Sequence, residues 1–245
     1  MSERSAAWLL LSRALAIAGA QAIVALVCWA TGDGAPFSSA GRWWLVSVTV
    51  ANVGTIALLS RLRREEGGVR RLWRFSRATW KGDLGWFVAF TVVAGPVGWL
   101  PNVALASVLW DAPDTGNAVL FRPLPLPVLA VLLVAFPVTQ ALAELPFYFG
   151  QMGPALRRAG WASAPSVLVP SLVLAVQHVA MPLEPDWRFF AWRGLMFLPF
   201  ALLVGLVVYR RPTLLPWLLV VHALMDAQLP VLTWLVSTGA LTFTG

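Results

Sequence analysis

The most informative part of the sequence runs Leu142-Ala143-Glu144-Leu145-Pro146-Phe147-Tyr148-Phe149-Gly150, with a carboxylate in the middle of an apolar run long enough to cross a bilayer. A charged side chain at the bilayer centre costs about 2.5 kcal/mol or more, so an intramembrane carboxylate indicates a functional site. Two other apolar runs carry His178 and the pair His222 and Asp226, and the chain has no further histidine. We therefore expect these four side chains to meet inside a helix bundle.

The composition is that of a protein embedded in a membrane. Hydrophobic residues make up 59% of the 245 residues, charged residues only 12%, and the mean hydropathy is +0.75. Soluble domains average about 25% charged residues. Seven apolar segments approach the roughly 20 residues that a spanning helix needs; they cover residues 8–30, 42–62, 84–110, 127–158, 162–181, 189–209 and 213–237. The sequence predicts an all-α polytopic bundle of about seven spanning helices, which forms a single integral membrane domain over residues 1–245.

The basic residues are distributed unevenly along the chain. Eight of the eighteen lie between Arg61 and Lys81, within the polar connection 61–83. Fourteen of the eighteen basic residues fall on the side of the membrane that holds the N-terminus and this connection. The positive-inside rule therefore predicts that this side is cytoplasmic. In the connection, arginines alternate with apolar residues, which fits either a short interfacial helix or a solvated loop. This distribution indicates the lipid bilayer, and not nucleic acid, as the partner of the net charge of +7.

Two features of the first apolar segment bear on targeting and redox state. The run 8–30 is longer than the roughly 7–15-residue core of a secretory signal, and Arg13 interrupts it, so we expect a retained helix. Cys28 is the only cysteine, so no intramolecular disulfide and no cysteine-based metal cluster is expected.

The four polar residues have the chemistry of amide hydrolysis. This reaction needs a base for water, donors for the oxyanion and a proton for the leaving amine. Glu144 with His178 fits the first and last of these roles, and an N–H of His222 fits the second. His222 and Asp226 are four residues apart and share one helix face. Asp226 would either be protonated or orient His222 through a hydrogen bond that fixes its tautomer.

Three motifs resemble a known family. The run from Glu144 to Gly150, followed by Pro154-Ala155-Leu156-Arg157-Arg158, resembles the E-E-x-x-x-R-G motif and downstream segment of the CAAX prenyl protease and bacteriocin-processing membrane proteins. Leu174-Ala175-Val176-Gln177-His178 is similar to that family's F-x-x-x-H motif, and His222-Ala223-Leu224-Met225-Asp226 matches its H-x-x-x-[N/D] motif. All three lie in the family's order within residues 127–230, the expected catalytic core.

The resemblance implies an intramembrane glutamate-type endopeptidase. In it, Glu144 and His178 would activate water, while His222 and Asp226 would stabilise the oxyanion, with no cofactor. The first motif departs from the family's pattern, because Leu145 replaces the second glutamate and Phe149 replaces the arginine. The joint loss is electrostatically consistent, since either charge alone would be unpaired in a dry site. Substrate anchoring and rate are the properties that this departure affects.

Other interpretations of the same residues remain open. The missing glutamate and arginine also fit a catalytically silent family member that acts as a membrane scaffold or binding protein. Intramembrane Glu, His and Asp can relay protons, as in a proton-coupled transporter. Two histidines with two carboxylates are an acceptable zinc set, although the H-E-x-x-H spacing is absent. The substrate class implied is a membrane-associated peptide or protein, and the composition, rich in Ala, Arg and Trp, indicates a prokaryotic cell membrane.

Overall fold

The structure, a computed structural model, describes residues 3–110 and 114–243. Asp111, Ala112 and Pro113, in the connection expected between the third and fourth apolar segments, lie outside the described residues. Within the described part the regular structure is helical, apart from one isolated bridge between Ala180 and Leu183. The α-helices are α1 (Glu3–Ala30), α2 (Pro36–Gly41), α3 (Trp44–Leu62), α4 (Trp80–Leu109), α5 (Thr115–Leu120), α6 (Leu126–Leu145), α7 (Gly153–Arg158), α8 (Ser163–Gln177), α9 (Trp187–Met196), α10 (Leu198–Arg210) and α11 (Leu215–Ser237).

Six helical segments are long and apolar enough to cross a membrane: Ala6–Ala30, Trp44–Leu62, Trp80–Leu109, Leu126–Arg158, Trp187–Arg210 and Pro212–Ser237. They confirm the predicted all-α polytopic bundle, and the protein is a multi-pass membrane protein. The segment expected at 162–181 is shorter than predicted, because α8 has only 15 residues. At 1.5 Å per residue its length is about 22 Å, less than the roughly 30 Å of a hydrocarbon core. His178 lies where this helix ends.

The helix ends meet in two groups. One group, which we call the basic end, is held together by pairs between Arg63 and Gln151, Arg158 and Glu66, and Arg211 and Asp83. At the opposite end, Arg122 pairs with Glu184 at 2.9 Å and also donates to the Ser38 carbonyl. The chain runs back and forth between these two ends. The predicted cytoplasmic location of the N-terminus stays a prediction.

Helix α6 lies at the centre of the bundle, where it packs against α3 and α11. Its buried residues follow a helical spacing along one stripe: Leu129, Leu132, Phe136, Gln140 and Ala143. Its exposed residues are also apolar, as Val131 and Val134 show with 65% and 67% of their surface exposed. A helix with apolar residues on every face is suited to lipid on one side and protein on the other. The polar side chains of α6 therefore point into the bundle.

The basic connection 61–83 is anchored to the bundle. It contains a 3₁₀ helix, Val69–Trp73, which buries Val69 and Leu72. Leu72 packs so closely on Gly150 that a Cβ there would lie 2.9 Å from the Leu72 Cδ2 atom. Phe75 packs edge-on against Trp217 of α11. The connection therefore resembles the short interfacial helix more than the freely solvated loop.

Candidate functional site

Glu144 lies on the last turn of α6, immediately before a change in helix geometry. A π-helix, Pro146–Met152, follows α6 and leads into α7. Pro146 has no backbone N–H and cannot make the bond of an α-helix to the carbonyl four residues earlier. π-helical turns are frequent at functional sites because they redirect the side chains next to them. The Glu144 side chain points into the bundle and is only 1% exposed.

The two carboxylate oxygens of Glu144 have different surroundings. Oε2 accepts hydrogen bonds from Gln140 Nε2 at 2.7 Å, Gln177 Nε2 at 2.6 Å and Arg13 at 3.2 Å. Oε1 faces His222 Nε2 at 3.1 Å. Oε2 is therefore saturated with donors, whereas Oε1 faces the other candidate residues.

Arg13 of α1 is the counter-ion of Glu144, and the sequence did not identify it as a site residue. Its side chain is fully buried, and besides Glu144 it donates to Asn52, Gln140 and Gln177. The only sequence signal was a charged residue that interrupts an apolar segment. Arg13 joins α1, α3, α6 and α8 through one guanidinium group.

Three intramembrane amide side chains belong to the same network, and the sequence analysis did not single them out. Asn52 and Gln140 accept from one nitrogen of Arg13 at 2.7 and 2.9 Å, and Gln177 accepts from Tyr148 Oη at 2.8 Å. Amides can donate and accept at once, so they satisfy both the cation and the carboxylate. Gln177 precedes His178 and links its helix to Glu144.

His222 and Asp226 are brought together as their spacing predicts. His222 Nε2 lies 3.3 Å from Asp226 Oδ2 and 3.1 Å from Glu144 Oε1. Neither contact has the alignment of a hydrogen bond, so among the described residues these Nε2 and Oδ2 atoms are buried without an aligned partner. The side chains are 11% and 13% exposed, so this part of the site approaches the surface of the bundle. One imidazole nitrogen thus lies between two carboxylates.

His178 has a separate hydrogen bond. Its Nδ1 lies 2.8 Å from the Leu174 carbonyl oxygen, and its ring stacks on Phe197 with centroids 3.8 Å apart. A carbonyl only accepts, so Nδ1 carries the proton and the neutral ring presents Nε2 as an acceptor. Such a nitrogen is able to take a proton from water. No hydrogen bond joins His178 to Glu144 within the described residues, although the two are within electrostatic range.

Arg193 of α9 is a second buried cation that the sequence analysis did not select. It donates to the Met181 carbonyl at 2.9 Å, and its guanidinium lies 4.9 Å from the centre of the Phe197 ring. Its Nε atom is buried without a hydrogen-bond partner in the described part of the chain. Since His178 stacks on the same Phe197 ring, Arg193 belongs to the surroundings of that histidine. It is a donor suited to a developing negative charge.

In residues 3–110 and 114–243, no group of three or more His, Cys, Asp or Glu side chains has the arrangement of a metal site. Comparisons of the chain with family models, curated proteins and solved structures found no match. The resemblance to the membrane protease family therefore stays a prediction from three short motifs. The geometry of the four residues is the basis for a functional proposal.

Proposed function

We propose that the protein is an intramembrane endopeptidase of the glutamate type, which hydrolyses a peptide bond of a membrane-associated peptide or protein. The observation that carries the proposal is the position of His222 Nε2, which lies 3.1 Å from Glu144 Oε1 and 3.3 Å from Asp226 Oδ2. Polar groups inside a membrane bundle cost free energy, so they are usually paired there and mark a functional site. The proposal includes a multi-pass location in a prokaryotic cell membrane with the N-terminus inside.

In this reaction Glu144 Oε1 accepts a proton from water while the water oxygen forms a bond to the peptide carbonyl carbon. The carbonyl π electrons move to oxygen and give a tetrahedral oxyanion. The C–N bond then breaks, and the leaving amine takes the proton that Glu144 had accepted. His178 Nε2, a free acceptor in the neutral tautomer, assists the first proton transfer. The net change is the addition of one water molecule to one peptide bond.

The oxyanion requires donors that are fixed before the reaction. His222 is assigned to this role by the family resemblance, but its Nε2 lies between two carboxylates. Its N–H therefore reaches an oxyanion only when the ring turns away from one of them, and Asp226 then stays as the carboxylate partner of the ring. The unpartnered Nε of Arg193 offers a second N–H donor within electrostatic range of Glu144.

The Arg13 network has a distinct part in the proposal. It holds Oε2 with three donors and so fixes the direction of Oε1. A base works only when it lies within hydrogen-bonding reach of the proton that it removes. Arg13 is thus a positioning residue for the Glu144 base.

Cleavage of membrane-anchored peptides tests the proposal. Purified protein in liposomes is mixed with a library of internally quenched peptides that carry an acyl anchor. We expect turnover by the natural chain and a loss of about 100-fold or more with Glu144→Gln or His178→Gln, since removal of a general base costs about 10²–10⁴-fold. Gln228→Leu is the matched control, because Gln228 is exposed on α11 beside Asp226 and belongs to none of these contacts. Equal turnover by Glu144→Gln and the natural chain would remove the proposal.

A second function has its own supporting observation. The saturation of Oε2 by Gln140, Gln177 and Arg13 is what a purely structural cross-link between helices would need. It favours a catalytically silent scaffold that binds a peptide or membrane partner. The two functions differ in the Asp226→Ala variant, whose residue lies outside that network. A scaffold would retain its cellular phenotype with Asp226→Ala, whereas the protease would lose activity.

A further inference from the structure

A cavity at the basic end contains no part of the site around Glu144. Its volume is about 410 Å³, within the range of ligand pockets. The π-helix, α7, α8, α10 and the start of α11 enclose it, and the basic connection 61–83 covers one side. Buried apolar residues line its inner part, among them Phe149, Val208 and Leu215. The cavity is therefore apolar inside and open toward the arginine-rich end of the bundle.

Four arginines line the outer part of this cavity: Arg63, Arg71, Arg74 and Arg157. Of the described residues that line it, none is acidic. Arg71, Arg74 and Arg157 are exposed, and Arg63 is half-buried. Four cations around one cavity repel one another unless an anion lies between them.

The arginines are only partly neutralised by the protein. Arg63 pairs with Glu66 at 3.1 Å and donates to the Gly150 carbonyl and to Gln151, and of its donors only Nε is buried without a partner among the described residues. Arg71 donates to a neutral backbone carbonyl, and Arg157 lies over the Tyr209 ring at 5.0 Å. Arg74 has no hydrogen bond or ion pair within residues 3–110 and 114–243. Most of the donor capacity of the cluster is therefore free.

The cavity lies where the membrane surface is expected. The spanning segments that end at Leu62, Arg158 and Arg210 all reach this end of the bundle. Tyr209, which lines the cavity, is an aromatic residue of the kind that lies at headgroup level. Leu206, one turn further into α10, is 46% exposed on the outside of the bundle. A charged group at the arginines would therefore be at headgroup depth, with hydrocarbon next to it.

We propose that this cavity binds the phosphate group of an anionic lipid, with the acyl chain against its apolar inner part. Guanidinium groups match phosphate oxygens with paired N–H donors. Basic pockets between spanning helices on the cytoplasmic side are suited to anionic headgroups. The apolar inner wall of Phe149, Val208 and Leu215 favours a lipid over a free phosphate, because inorganic phosphate has nothing to place there.

Native mass spectrometry of the full-length protein in a nonionic detergent tests this site. The probes are phosphatidic acid, phosphatidylcholine with the same acyl chains, and soluble glycerol 3-phosphate. We expect retention of phosphatidic acid by the natural chain, and about five- to tenfold weaker binding for each of Arg74→Gln and Arg157→Gln. Arg70→Gln is the matched control, because it removes the same charge from the same connection at an exposed residue that does not line the cavity.

Each outcome bears on the proposal. Weaker binding of phosphatidic acid by both cavity variants, with the Arg70→Gln control unchanged, supports it. Equal losses in all three variants would show attraction by diffuse charge and would overturn it, as would equal retention of phosphatidylcholine. If glycerol 3-phosphate at the same concentration as the lipid displaces phosphatidic acid, the ligand of the cavity is a soluble phosphate, and the lipid proposal is overturned. The melting temperature of each variant verifies its fold, and Arg74→Lys and Arg157→Lys keep the charge if a glutamine variant fails to fold.

Discussion

The carboxylate site around Glu144 and the arginine cavity at the basic end treat charge in opposite ways. In the bundle interior, Arg13 and Glu144 neutralise each other, with side chains only 0% and 1% exposed. At the basic end, four arginines line one cavity that has no acidic lining residue among those described. The first arrangement satisfies its own charges, and the second leaves donors available to an external anion.

The difference follows from the solvent at each depth. An unpaired charge inside the bundle has neither water nor headgroups to stabilise it, so it must find a protein partner. At the interface water screens each arginine, and a lipid phosphate is able to complete the cluster. Three ion pairs of the protein form a graded series between these extremes: Arg13 with Glu144, Arg211 with Asp83, and Arg158 with Glu66.

The largest effect is expected for Arg13→Met. It leaves the Glu144 carboxylate buried without its cation and removes donors from Asn52, Gln140 and Gln177. Removal of one partner of a buried pair costs about 3–5 kcal/mol of unfolding free energy. Unfolding of the purified protein by SDS in bicelles measures this change. Arg64→Met is the control, because Arg64 is exposed.

The double variant Arg13→Met with Glu144→Met sharpens that prediction. Replacement of both members of a buried pair by apolar residues of similar size leaves no uncompensated charge, so we expect it to recover part of the loss. If the double variant loses as much unfolding free energy as the two single variants together, or more, the pair does not act as a unit.

A smaller loss is expected for Asp83→Asn. The Asp83 carboxylate is fully buried, but its partner Arg211 is 31% exposed. Asp83 accepts from Arg211 Nε at 2.6 Å, Thr79 at 2.6 Å and Thr213 at 2.8 Å. Asparagine keeps one oxygen acceptor, so the expected loss is about 1–2 kcal/mol. The same SDS unfolding gives this value, with the exposed Asp114→Asn as control; a loss equal to that of Arg13→Met would break the graded series.

The smallest effect belongs to Glu66 and is visible as a pH dependence. The hydrogen bond from Arg158 lowers the pKa of the Glu66 carboxyl below its ordinary value of 4.5. The carboxylate therefore stabilises the fold above pH 4.5, and this contribution is lost as the pH falls through the lower folded value. Because Glu66 and Arg158 are 35% and 57% exposed, the loss is only about 0.2–0.5 kcal/mol and decreases in high salt. Melting curves of the natural chain and Glu66→Gln should differ above this pH and converge below it.

The sequence predicted the membrane bundle well because apolar length is a direct requirement of the bilayer. The bounds of α3, the start of α6 and the continuation of the fourth segment to Arg158 agree with the prediction, although a π-helix interrupts that segment after Leu145. Two segments differ. α8 is too short to meet the length of a spanning helix. The sixth segment breaks at Phe197, and α10 begins at Leu198 with Pro199 in its first turn, where the missing N–H of proline has no cost.

The sequence also predicted that Glu144, His178, His222 and Asp226 come together, since helix spacing and the cost of intramembrane charge both pointed there. Glu144, His222 and Asp226 do so, whereas the hydrogen bond of His178 goes to the Leu174 carbonyl and not to Glu144. It did not predict the partner of Glu144, because hydropathy treats Arg13 only as an interruption. Asn52, Gln140 and Gln177 were overlooked for a similar reason: isolated amides in apolar segments have no periodic signal. Only the packing of α1 and α3 on α6 shows that these residues share one network.

The central claim is that Glu144 activates water for attack on a peptide bond. The most direct measurement is hydrolysis of an acyl-anchored peptide in liposomes prepared in ¹⁸O-labelled water, followed by mass spectrometry of the new carboxyl terminus. The account predicts one labelled oxygen in the new carboxyl terminus made by the natural chain. It predicts that the folded Glu144→Gln variant forms this product at least about 100-fold more slowly. Product formation by Glu144→Gln at the natural rate, or the absence of product from the natural chain across the peptide library, would contradict it.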